Sequence, residues 1–177
     1  AASARSVEQL FAAIDRDFGE LDLMLYNASG RTRGPFVDLD PVEVERTLMV
    51  TAYGGFLVAQ QAARRMLQRG KGVILLTGAS ASVKGYAQSA PFAMGKFALR
   101  GLAQSMAREL APKGIHVAHF VIDGGVRSPA TGRAEAAGAP DSLLDPDAIA
   151  ETYLSVAKQS RSAWTWEAEL RPWVEKF

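Results

Sequence analysis

Apolar runs of strand length alternate along this chain with stretches of helical periodicity, and that alternation leaves few folds open. Val7, Leu10, Phe11, Ile14 and Phe18 recur at helical spacing, with Ser3 or Ser6 as cap and Gly19 as stop. Residues 21–26 then read as a short strand ending at Asn27-Ala28-Ser29-Gly30. A loop over 31–40 leads to Asp40-Pro41, an N-cap followed by proline at the first helical position, which opens a helix to Arg69. Strands at 72–77 and 115–122 flank a helix at 90–112. Asp145-Pro146 repeats the helix-start signature for a segment ending near Lys158, and 163–170 reads as a final strand. The order α-β-α-β-α-β-α-β calls for an α/β fold, a parallel sheet with helices on both faces, in a single domain over 1–177. Residues 124–144, rich in Gly, Ala and Pro, read as a mobile loop beside a substrate.

Charge and composition remove several function classes. Lys and Arg number 20 against 19 Asp and Glu, a net charge of +1, so no bulk field favours nucleic acid or an anionic membrane. There is no cysteine, which removes disulfides, thiolate nucleophiles and cysteine metal sites and fits a reducing cytoplasm. No apolar run approaches the ~18–20 residues of a membrane helix. His116 and His119 point to opposite faces of one strand and lack partners at ligand spacing, so no metal site is expected. Gly95-Lys96 is not a phosphate loop, because Ala90 stands where the upstream glycine is required and Phe97 follows the lysine.

Five segments carry chemistry. They are Asn27-Ala28-Ser29-Gly30 at a strand end, Val50-Thr51-Ala52-Tyr53-Gly54-Gly55-Phe56, the strand running into Thr77-Gly78-Ala79, Phe92-Ala93-Met94-Gly95-Lys96, and Asp123-Gly124-Gly125-Val126-Arg127-Ser128. In this order they resemble the short-chain dehydrogenase/reductase family. The resemblance implies the C-terminal part of a doubly wound, Rossmann-like domain that transfers a hydride between NAD or NADP and a small-molecule carbonyl, alcohol or enoyl substrate. It places Asn27, Ala28, Ser29 and Gly30 near the cofactor's adenosine. Lys96 would meet the nicotinamide ribose, and Asp123, Gly124, Gly125 and Ser128 the carboxamide.

The same resemblance locates the acid/base machinery, and there this chain departs from the pattern. Thr51 stands for the family's asparagine, Ala79 for its serine and Phe92 for its tyrosine, while Lys96 is kept. A one-residue shift of the loop would offer Ser80 in place of Ala79. Two readings follow: an oxidoreductase with a non-standard active site, using Ser80, Tyr86 or water as proton source, or an inactive pseudoenzyme that binds or scaffolds. A Gly-rich turn between a first strand and helix, which receives a dinucleotide pyrophosphate, is absent from these residues. The strand at 21–26 would pair with that missing strand, so a larger polypeptide or a subunit contact is expected to cover its edge. The family's assembly through its two long helices, here 41–69 and 90–112, implies a homodimer or homotetramer. Tyr53 and Phe56 read as packing residues.

Overall fold

The computed structural model describes residues 3–176; Ala1, Ala2 and Phe177, at the ends of the expected domain, lie outside them. Four parallel strands form one sheet in the order β1 (Leu23–Tyr26), β2 (Gly72–Thr77), β3 (Ile115–Ile122) and β4 (Glu167–Leu170). The helices are α1 (Ala4–Asp17), α2 (Pro41–Leu48), α3 (Gly54–Arg69), α4 (Ala90–Leu110) and α5 (Pro146–Ala157). Side-chain caps start three of them: Ser3 accepts from the Ser6 amide, Asp40 from Val42 and Asp145 from Asp147. Each such cap is worth about 1 kcal/mol. Gly70, at φ 64°, closes α3 in the left-handed conformation that glycine adopts without strain.

The two sheet faces are covered unequally. On one, α1, α3 and α4 pack against Met24, Tyr26, Ile74, Leu76, Ile115 and Val117. On the other, α5 covers Leu75, Ala118 and Phe120 through Tyr153 and Val156, with the Phe120 and Tyr153 rings 3.7 Å apart. Because β2 and β3 are covered on both sides, their sequences read as unbroken apolar runs. Between α5 and β1 lies a cleft of ≈ 300 Å³, in which the outward Leu23 and Leu25 remain 42% and 47% exposed.

Three boundaries differ from the sequence expectation. The helix at 41–69 is one rod interrupted by a π-helical turn, Met49–Tyr53. The last strand begins at Glu167, because Trp164 stacks flat on His116 at 4.8 Å and the Thr165 carbonyl bonds the His116 ring at 2.8 Å. α4 gives way at Ala111 to a tighter 3-10 turn containing Pro112. α1 buries Val7 and Phe11 alone, leaving Phe18, its C-cap, 82% exposed. All strands point the same way, so Asn27, Gly78 and Asp123 stand together at their carboxyl ends, where sheets of this kind place ligands.

Candidate active site

The site has a buried floor. Lys96, on the second turn of α4, is 3% exposed and donates from Nζ to the Thr77 carbonyl at 2.7 Å. Burial lowers its pKa to about 8. Thr51, fully buried in the π-helical turn, accepts the Gly30 amide at 2.9 Å through Oγ1. It also fills the space that Gly95 leaves: a Cβ on Gly95 would stand 2.9 Å from the Thr51 Cβ. The π turn thus brings β1's trailing loop, the long rod and α4 to close contact at one point, a use typical of such turns near functional sites.

A second buried network holds the turn after β2. The Ser82 Oγ accepts from the Ala79 amide at 3.1 Å and meets the His119 Nε2 at 3.4 Å. Nδ1 of His119 lies 3.0 Å from Glu167, which binds Arg100 through both oxygens at 2.7 and 2.8 Å. Burial lowers the His119 pKa against the opposing pull of the Glu167 charge, and Arg100 holds the Glu167 carboxyl below its ordinary range. A neutral imidazole fits: Nδ1–H donates to Glu167 and Nε2 accepts the Ser82 hydroxyl. Ser82, with no exposed surface, fixes the turn and is closed to substrate.

Above the floor lies an open cavity of ≈ 580 Å³. Of the residues the sequence pointed to, Ser80, Phe92, Asp123, Gly124 and Gly125 line it. Phe92, half-buried, lies between two cations: the Arg31 guanidinium is 5.0 Å and the Lys96 ammonium 5.8 Å from its ring centre. Asp123 is buried, with Lys84 and Arg171 each 3.5 Å from its carboxylate. Gly124 adopts φ 149°, and a Cβ there would come 2.6 Å from Pro172.

Other expected residues lie apart from the cavity. Asn27, Ala28 and Ser29 form an exposed ledge at the end of β1, and Ala79 is spent on the Ser82 bracket. Ser128 pairs backbone to backbone with Arg133, and the 124–144 segment is tied at its base by the Leu144 amide to Gly125 and the Arg127 amide to Leu144. Tyr53 and Phe56 are not buried; 41% and 40% exposed, they stack on each other at 6.2 Å on the outer face. Sequence reading missed Arg31, Arg33 and Glu175 as cavity residues. The signal was present, since Arg31 follows Gly30 and Arg33 stands two residues on, but only the tertiary fold turns that loop over the site.

The residues present suit a nicotinamide cofactor. An ammonium has three protons to donate, and the one bond that Lys96 makes leaves two. Those unspent donors fit a ribose, and the side-chain-free backbone of Gly124 and Gly125 at the cavity wall fits a carboxamide. Among the described residues no three His, Asp or Glu side chains gather into a metal cluster, and no helix is long and apolar enough to cross a membrane.

Comparison with known proteins agrees with this geometry. A short-chain dehydrogenase from Rhodopseudomonas palustris superposes with a TM-score of 0.81 at 34% identity, covering 97% of this chain and 71% of that one. An alcohol dehydrogenase from Thermococcus sibiricus, solved with 5-hydroxy-NADP, gives 0.85 at 21% identity, covering 99% and 73%. Sorbitol-6-phosphate 2-dehydrogenase of Escherichia coli is 32% identical over 131 residues, 73% of this chain and 50% of that protein. A short-chain dehydrogenase/reductase of Armillaria gallica is 32% identical over 143 residues, 80% of this chain and 54% of that protein. The chain spans about half the length of the curated relatives it matches. The sequence model described as short chain dehydrogenase matches residues 1–137, the stretch holding β1 to β3, Lys96 and the cavity's glycines, and the chain belongs to that family.

Proposed function

We propose that this chain forms the catalytic part of an NAD(P)-dependent oxidoreductase acting on a small carbonyl, alcohol or enoyl compound. The observation that carries this reading is the buried Lys96, fixed to Thr77 with two donors unspent and 5.8 Å from the ring of Phe92, which lines the 580 Å³ cavity. The relatives' names, a sorbitol-6-phosphate dehydrogenase and a 3alpha-hydroxysteroid dehydrogenase of Mediterraneibacter gnavus among them, support an alcohol–carbonyl couple.

A bound nicotinamide would supply or accept the hydride. Lys96 would orient its ribose, and the backbone of Gly124 and Gly125 would admit the carboxamide end. Phe92 walls the reacting carbon from water and donates no proton, so the proton for a developing alkoxide comes from Ser80, Tyr86 or a water between them. Loss of a positioned acid costs about 10²–10⁴ in rate, which sets the expected slowness of this site against a complete one. The exposed Tyr53, Phe56, Met94 and Phe97 on α3, its π turn and α4 support assembly as a homodimer or homotetramer through those helices. The cytoplasm is the compartment proposed, on the absence of cysteine.

The test is a nicotinamide fluorescence titration of the natively expressed protein with NADH and NADPH, followed by a panel of carbonyl and enoyl compounds. Saturable binding with measurable oxidation supports the reading. Binding without turnover on any compound would favour a pseudoenzyme, and no binding at all overturns it.

A further inference from the structure

The loop carrying Arg31 and Arg33 beside the cavity brings charge that no carboxylate among the described residues neutralises. Arg31 and Arg33 both line the cavity, and Nη1 of Arg133 stands 3.8 Å from where a Cβ on Gly125 would project, bringing a third guanidinium to the same wall. Among the described residues no carboxylate lies within ion-pairing distance of any of the three. By contrast Arg65, Arg69, Arg100 and Arg127 are each paired with Asp or Glu at 2.6–2.8 Å. The cavity's own acids do not serve. Asp123 is shared between Lys84 and Arg171, and Glu175, 3.7 Å from the notional Cβ of Gly124, pairs with none of the three arginines.

This positive corner is rigidly held. The Gly30 amide is fixed by Thr51 at 2.9 Å, the Thr32 hydroxyl meets that of Thr47 at 2.7 Å, and the Gly34 amide bonds the Gln88 carbonyl at 3.1 Å. Thr32 between the arginines points into the fold, while Arg31 lies over the Phe92 ring at 5.0 Å. Desolvation, then the charges of Arg33 and Arg133, lowers the proton affinity of Arg31. An anion in the corner would relieve that repulsion. Guanidinium groups stay charged throughout the accessible pH range and offer a planar fork matched to carboxylate or phosphate.

We propose that the cavity takes a substrate bearing a carboxylate or phosphate group, held by Arg31 and Arg33, with its reacting carbon over Phe92 and Ser80. This rests on the oxidoreductase reading for what happens to the substrate, but the anion site stands on its own geometry. A dinucleotide's phosphates are the other source of the same chemistry, and the test separates the two.

Isothermal titration of the natively expressed protein compares malonate with malonamide, the neutral molecule of the same shape, and phosphate in a third arm. Malonate or phosphate is expected to bind at least ten-fold tighter than malonamide and to weaken as salt is raised. Arg31→Gln and Arg33→Gln should each weaken the anion ten-fold or more, while Arg64→Gln, on the far end of α3, leaves it unchanged. NADH affinity should move less than two-fold in all three variants. Equal binding of malonate and malonamide, or no binding of any anion, overturns the proposal even if the protein reduces neutral carbonyls. A matching loss of NADH affinity overturns it too, by assigning the arginines to the cofactor. Anion binding without turnover on any carbonyl would sink the oxidoreductase reading and leave this one standing.

Discussion

The floor of the cavity and its walls are built on opposite terms. On the floor, Thr51, Ser82, Lys96 and His119 are at most 3% exposed, and each is hydrogen-bonded within the fold. On the walls, Ser80, Tyr86, Phe92, Arg31 and Arg33 are partly or fully open, and three guanidiniums lack carboxylates. The floor therefore sets the shape and the walls set the chemistry. The two also differ in bonding. The Thr51 hydroxyl makes a structural bond, whereas Phe92 presents only its ring.

If the floor is structural, disturbing it should unfold the protein. Gly78→Ala is expected to have the largest effect, since its Cβ would meet His119 Nε2 at 2.2 Å and the Phe120 carbonyl at 2.7 Å. Overpacking of this kind costs about 3 kcal/mol, read as a lowered urea midpoint. An unchanged midpoint would break the comparison.

Lys96 tests the floor by pH. Its folded pKa is about 8 and its ordinary value 10.5, so between them the unfolded chain binds more protons and stability rises with pH. A shift of that size corresponds to about 3 kcal/mol gained from below pH 8 to above pH 10. Tyr153 opposes it at the alkaline end, because burial pushes its pKa up to about 12 and the unfolded phenol ionises first. Urea midpoints should therefore climb from pH 7 to about pH 10 and then fall, and Lys96→Met should remove the climb while leaving the fall. A variant profile parallel to the wild type would exclude a buried, shifted lysine.

The smallest effects contrast two hydroxyls. Thr51→Val strands the Gly30 amide and should cost about 1–3 kcal/mol. Ser80→Ala, which breaks no side-chain bond within the fold, should stay within about 0.5 kcal/mol while slowing any turnover. Equal costs would erase the distinction between floor and wall.

What was legible in the sequence follows the same division. β2 and β3 were readable to the residue because strands covered on both faces show unbroken apolar runs. Lys96 and the glycines at 124–125 stood in recognisable spacing. β4 was overextended, because Trp164 and Thr165 look like strand residues but serve His116. The π turn at Met49–Tyr53 was invisible, as one shifted hydrogen-bond register leaves no periodic trace. Arg31 and Arg33 looked like an ordinary polar loop, since long-range bonds such as Gly34 to Gln88, which a sequence does not show, fold that loop over the cavity.

The most direct test is Phe92→Tyr, read by single-turnover NADH oxidation with a carbonyl and enoyl panel at pH 8, alongside the urea midpoint. If, as proposed, the site binds a nicotinamide but lacks a positioned acid, the rate should rise about 10²-fold, with stability unchanged within about 0.5 kcal/mol. An unchanged rate in a folded variant that still binds NADH would contradict it.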